Sequence, residues 1–227
     1  MANYKNLVDA IDKILVKPRT GQILKINRKT SDKAFEVYVF SLVVKAVKKA
    51  GGKVEIRGIN TGPNPKQLVF RGSPGLMSST TQDFTYASCQ LNKKQFEIHV
   101  GVQYLGTSGA QHELDVSIFD TDRADTIRKL KVLPDNRSLR GGIECKLYDS
   151  DLGVSLGRTF VGLVSDLGSL TSKSFVSNGS HAGLADFFSK SGRPDPFFRL
   201  SPLNQEVEER FVRHLEQEFR KWCSVPS

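Results

Sequence analysis

Two hydrophobic periods alternate along the chain. In residues 3–16, Leu7, Ile11, Ile14 and Leu15 recur every three or four positions, the stripe of an amphipathic helix. Residues 33–50 carry Phe35, Val37, Val39, Leu42, Val43, Val44 and Val47, too many for one stripe. They predict a helix packed on two sides, with N-cap candidates at Thr30, Ser31 and Asp32 and a stop at Gly51-Gly52. Strand patterns follow at 53–59 and 67–70, then at 84–91 and 95–104, where Asn92-Lys93-Lys94 makes the turn of a β-hairpin. Further strands are predicted at 115–119, 143–148 and 174–177, and helices at 124–131, 154–166, 183–190 and 205–222. Gly141-Gly142 and Pro134-Asp135-Asn136 read as turns, and Gly157 and Gly162 weaken the 154–166 helix. Residues 17–29 read as a basic connector with an extended piece at 22–26, 60–80 mostly as loop, and 191–205 as a Pro-containing connector. There is no internal repeat or coiled coil.

Two of these strands are acidic. In His112-Glu113-Leu114-Asp115-Val116 and Gly142-Ile143-Glu144-Cys145-Lys146, residues two apart point to the same face. Asp115 shares a face with Glu113 and Ser117; Glu144 shares one with Lys146. If the strands are neighbours, Asp115, Glu144 and Lys146 converge. Two carboxylates and an ammonium suit a hard divalent cation and an activated water. A plain strand with solvated charges is the competing reading.

Asp115 followed at a distance by Glu144-Cys145-Lys146, each in a β context, resembles the PD-(D/E)xK nucleases of the restriction-endonuclease-like fold. The resemblance covers roughly residues 32–190, and the order of elements near 175–190 is similar to Mrr-like members. One departure is Leu114, which stands where the motif has Pro. The resemblance implies an α/β fold with a mixed central β-sheet flanked by helices on both faces. The chain is then one nuclease domain, 1–227, with the helices at 3–16 and 205–222 as additions to a common core. Asp115 and Glu144 would be Mg2+ ligands, with Mn2+ able to substitute, and the Cys145 carbonyl a third. Lys146 would orient the attacking water, help hold it deprotonated, or stabilise the charged phosphate.

Other residues are weighed against ordinary roles. Glu36 sits between Phe35 and Val37, where a carboxylate needs a partner or a metal. The family often places a Glu on this helix, whereas pairing with Lys33 is the structural alternative. Glu113 either bonds a metal-bound water or ends a strand in solvent. Arg158, on the helix after the motif strand, either contacts a substrate phosphate or faces solvent. Asp149 and Asp151 suit a helix cap, and His99, His112 and His181 suit polar structural positions.

Charge strengthens the nucleic-acid reading. The net charge is +9, and residues 1–57 hold thirteen Lys or Arg against five Asp or Glu. A second basic stretch spans 121–140. Such asymmetry suits a polyanion. Hydrophobic content of 38% without a membrane-length apolar run indicates a globular chain with no membrane partner. The first residues lack the apolar run and cleavage site of a signal peptide. Three scattered cysteines form neither a disulfide framework nor a zinc pattern, which points to the cytoplasm. Phosphate-loop, zinc-helix and nucleophile-elbow motifs are absent.

The expectation is a metal-dependent endonuclease acting on double-stranded DNA, with a restriction or defence role by family analogy. Rival readings are a non-catalytic nucleic-acid-binding or assembly module, and a nuclease for RNA or single strands. With no helix-turn-helix or zinc finger, a partner subunit or an effector is a candidate source of targeting. Val207, Phe211, Leu215, Phe219 and Trp222 on the terminal helix suggest a homodimer interface, with packing on its own domain as the alternative.

Overall fold

The apolar segment near 33–50 forms helix α2 (Ser31–Lys49), and every residue from 34 to 44 is buried. A helix that is apolar all round needs neighbours on several sides. It has a sheet on one side and two further helices, α1 (Tyr4–Ile11) and α6 (Gln205–Ser224), on others. Asn3 starts α1 through a reciprocal cap in which its side chain accepts the Asn6 N–H and the Asn6 side chain accepts the Asn3 N–H. A π-helical stretch, Asp12–Val16, extends it. The computed structural model describes residues 3–16, 23–26, 30–148, 153–168, 171–179, 182–190 and 193–224. Asp149, Asp151, His181 and most of the basic connector lie outside the described residues.

The strands are β1 (Ile23–Ile26), β2 (Lys53–Gly58), β3 (Gly62–Pro63), β4 (Gln67–Phe70), β5 (Thr85–Leu91), β6 (Lys94–Leu105), β7 (Gln111–Asp120), β8 (Leu139–Lys146), β9 (Ser172–Ser177) and β10 (Asp195–Phe197). An eight-stranded sheet runs β10-β9-β8-β7-β6-β5-β2-β3, and β1 pairs with β4 in a separate ribbon. The sheet is mixed: β8, β9 and β10 are parallel, and the other pairs antiparallel.

Adjacent residues of β9 show the layering. Val176 joins the cluster holding Leu7 of α1, Val43 of α2 and Phe211 of α6. Phe175 joins instead Phe160 of α4 (Val154–Leu167) and Leu184 of α5 (Ala182–Phe188). Helix α3 (Thr121–Leu130) covers Leu114 and Phe119 through Ala124 and Ile127. The chain is thus α/β, with a large mixed sheet flanked by helices. Among the described residues no helix is long and apolar enough to cross a membrane.

Two expectations are corrected and one open alternative is decided. Gly141-Gly142 is not a turn but the middle of β8; a Cβ on Gly141 would stand 2.7 Å from Ile118 Cδ1, so glycine allows close strand approach there. The register shifts beside it, between Ile118 and Phe119. The connector at 191–205 contains β10, whose hydrogen bonds come from β9. The apolar face of α6 is not a free dimer surface: Phe211, Leu215 and Phe219 are buried in the protein's own core. Glu208 ties α6 to α2 by accepting from Tyr38 Oη and Lys45 Nζ, each at 2.6 Å. Both terminal helices are therefore built into the core. Phe211→Ala is expected to cost about 3–5 kcal/mol of unfolding free energy in urea. A loss below about 1 kcal/mol would show α6 to be dispensable.

Candidate active site

Asp115 stands where two strands part. The β7–β8 ladder pairs Ile118 with Gly141, Ser117 with Gly142 and Val116 with Ile143. It ends there although β7 begins at Gln111 and β8 runs on to Lys146. Asp115 and Glu144 are next in that register. In place of a ladder carbonyl, Asp115 Oδ2 accepts the Cys145 N–H at 2.7 Å. The N–H and C=O of one strand residue point to the same neighbour, so the Cys145 carbonyl also turns toward β7. The Cys145 thiol lies in the apolar core, and burial raises its pKa.

Four carboxylates and two ammoniums gather here. Glu144 pairs with Lys146 Nζ at 2.5 Å. From α2, Glu36 pairs with Lys33 Nζ at 2.7 Å, the partner its helical spacing allowed, and it also feels repulsion from Asp115. Its second oxygen, Oε2, is buried without a hydrogen bond. Glu113 is half-buried rather than solvated, and its Oε1 is likewise unpartnered. These six groups, all ionised, carry a net charge of −2, and Asp32 also repels Asp115, an excess of negative charge that a divalent cation would offset.

The excess shows in the protonation equilibria. Burial, then repulsion from Asp115, raises Glu36 to about 8 and Glu144 to about 7, against the opposing pull of Lys33 and Lys146 respectively. Burial raises Asp115 too, although Lys146 and the Cys145 N–H counter it. Burial disfavours the Lys146 ammonium, but Glu144 and Asp115 hold its pKa above the usual lysine value.

These raised carboxyl pKa values have a stability consequence. The unfolded chain loses these protons near pH 4.5 and the folded chain holds them longer. Their contribution thus turns unfavourable as pH rises from about 4.5 to about 8. Asp115→Asn keeps an oxygen for the Cys145 N–H and removes the shared repulsion. In chelator it is expected to melt a few degrees above wild type at pH 8 and close to it at pH 5, with magnesium narrowing the gap. Equal melting at pH 8 would mean that the carboxylates do not repel.

No family model, no curated protein and no solved structure matches this chain. The functional reading therefore rests on its own residues. Among the described residues no three Asp, Glu, His or Cys side chains form a ready-made metal cage. Asp115, Glu144 and the Cys145 carbonyl are the residues that could hold a cation, a small set of the kind that suits magnesium because it keeps several waters.

The remaining residues divide clearly. Arg158 is exposed on α4. His112 Nε2 bonds Asp166 Oδ2 at 2.6 Å, and Asp166 Oδ1 also accepts from Thr107 Oγ1 and the Ser108 N–H, so this histidine fastens a turn to α4. His99 lies in a separate buried network with Glu97. Half of the basic residues at 121–140 are held in ion pairs: Arg128 pairs with Glu97 and Asp125, Arg137 with Asp135, and Arg140 with Asp120. This stretch supplies less free positive charge than its composition implies.

Two cluster residues were not recognised as such in the sequence. Lys33 is a second ammonium in the site, raised by Glu36, Asp115 and Glu113 against its burial. Its signal was the i,i+3 spacing from Glu36. Tyr104 of β6 has a buried hydroxyl with no hydrogen bond, and burial with the nearby Glu144 raises its pKa. Nothing local marks it, because it reads as an ordinary strand aromatic. A hollow of about 820 Å³ lies among α1, α2 and α6 and includes none of the cluster residues.

Proposed function

We propose that the chain is a metal-dependent nuclease of the restriction-endonuclease-like kind, cutting phosphodiester bonds in nucleic acid, with double-stranded DNA as its substrate. The observation that carries this reading is the fork of β7 and β8. There, register brings Asp115 beside Glu144, and Glu144 binds Lys146. A cytoplasmic setting accords with three buried free cysteines.

Asp115, Glu144 and the Cys145 carbonyl would hold Mg2+ or Mn2+, which when bound supplies charge neutralisation at the phosphate and a more acidic water. The chain's own residues do the rest. Asp115 is fixed by the Cys145 N–H, so it meets the substrate without reorganising. Lys146 stays protonated and places an ammonium beside Glu144, where it can orient a water or meet phosphate charge. Glu36 and Lys33 form a second acid–ammonium pair flanking Asp115.

The test is a cleavage panel of plasmid, linear duplex, single-stranded DNA and RNA. Cleavage is expected with magnesium or manganese and not with calcium or chelator, because calcium's irregular coordination holds substrate without aligning the attack. Double-stranded substrates should be cut first. Activity that persists in excess chelator would overturn the mechanism; retained binding without cleavage of any substrate would favour a non-catalytic binding module.

A further inference from the structure

Beside the fork lies another hollow, built on an arginine with no counter-ion among the described residues. Arg71 is only 5% exposed. Its Nη2 donates to the Leu76 carbonyl at 3.1 Å and its Nη1 to the Val100 carbonyl at 3.5 Å. Its Nε has no partner. Among the described residues no carboxylate pairs with it, and burial alone lowers its pKa to about 10. The guanidinium instead lies over the Phe84 ring, 4.3 Å from the centroid. Burying a cation without an anion costs several kcal/mol, which a bound anion would offset.

The walls suit an oxyanion. Arg71 lines a hollow of about 560 Å³ with Gly72, Ser73, Ser79, Thr81 and Gln82, and no Asp or Glu lines it. The neighbouring Asp83 is turned away, accepting from the Asn60 and Thr61 N–H groups. A planar guanidinium among hydroxyls and a glycine-rich backbone is the donor set that phosphate takes.

The hollow also sits next to the proposed centre. Gly101, at φ +61°, falls between the Val100–Val116 and Val102–Leu114 pairs and so lies opposite Asp115. A Cβ on Gly101 would stand 3.6 Å from Arg71 Cβ. The segment carrying the hollow runs alongside β6 there: the Gly75 N–H donates to the Gly101 carbonyl, and the Gly75 carbonyl accepts the Gln103 N–H. Two strand spacings, about 10 Å, separate this segment from β7.

We propose that the Arg71 hollow is a phosphate subsite, holding a backbone phosphate of the nucleic acid a few nucleotides from the bond cut beside Asp115. The phosphate chemistry stands on Arg71 alone; its nucleic-acid source rests on the nuclease reading. The experiment measures binding of inorganic phosphate, at constant ionic strength against chloride, and of a short DNA duplex in calcium. It compares wild type, Arg71→Gln and Ser79→Asp. Ser79→Asp puts a negative charge in the hollow while leaving the buried arginine in place, so it remains informative if Arg71→Gln fails to fold. Wild type is expected to bind phosphate, and Ser79→Asp to weaken both phosphate and duplex by tenfold or more. Absence of phosphate binding over chloride would overturn the subsite. Phosphate binding lost in Ser79→Asp with duplex affinity unchanged would leave a free-anion site and overturn its nucleic-acid role. Failure of the nuclease reading is seen separately, as wild type that cuts nothing in magnesium.

Discussion

Lys146→Ala is expected to lower the cleavage rate by roughly two to three orders of magnitude, the loss typical of removing one preorganised charge stabiliser. Lys146 is the ammonium at the fork, paired with Glu144 and held protonated by Glu144 and Asp115. Duplex binding in calcium should survive, because the Asp115 carboxylate and the Cys145 N–H are untouched. Lys146→Arg should rescue poorly, since a planar guanidinium cannot take the place of a compact ammonium in this pair. Single-turnover rates and circular dichroism on the same preparations separate lost chemistry from lost fold. A Lys146→Ala protein cutting at the native rate would remove Lys146 from the mechanism.

A stability effect as large as that of Phe211→Ala is expected far from the fork, at Glu97. This carboxylate is 2% exposed and receives both arms of Arg128, at 2.6 and 2.7 Å, and His99 Nε2 at 2.8 Å. Burial would raise the Glu97 pKa, but Arg128 and His99 hold it below the usual value. Arg128→Ala leaves that charge buried beside a histidine whose pKa burial lowers. The expected cost is about 3–5 kcal/mol in urea unfolding. Replacing Glu97 as well, as Glu97→Leu with Arg128→Ala, should recover part of it, because no unpaired charge then remains. If Arg128→Ala stays within about 1 kcal/mol of wild type, the pair is not holding α3 to the sheet.

Local pattern revealed the helices and the strands of the site because their information is local. Burial around α2 followed from seven apolar residues that one stripe could not hold, and the hairpin from Asn92-Lys93-Lys94 between alternating runs. Gly141-Gly142 misled because glycine serves turns and close strand contacts alike, and only Ile118 decides between them. The three residues of β10 follow from their partner β9, not from their own sequence. The face of α6 read equally as interface or core, and packing decided it.

At the candidate site, strand alternation put Glu144 and Lys146 on one face, where they pair, and the register set Asp115 beside Glu144. Glu36 was legible as a carboxylate in an apolar helix, yet its nearness to Asp115 depends on how α2 crosses the sheet. The same dependence hid the neutralisation of Arg128 and Arg140, whose acidic partners Glu97 and Asp120 sit on other strands. Arg71 gave no signal at all, since an arginine in a Gly- and Ser-rich loop reads as solvated until its burial is seen.

The most direct test is where a divalent cation settles. Manganese-soaked crystals, measured for anomalous scattering, are expected to show a peak bounded by the Asp115 and Glu144 carboxylates and the Cys145 carbonyl. The Asp115→Asn protein, soaked in the same way, is expected to show none. Wild-type crystals with no manganese at the fork, or with the same peak in Asp115→Asn, would contradict a cation-dependent centre at the junction of β7 and β8.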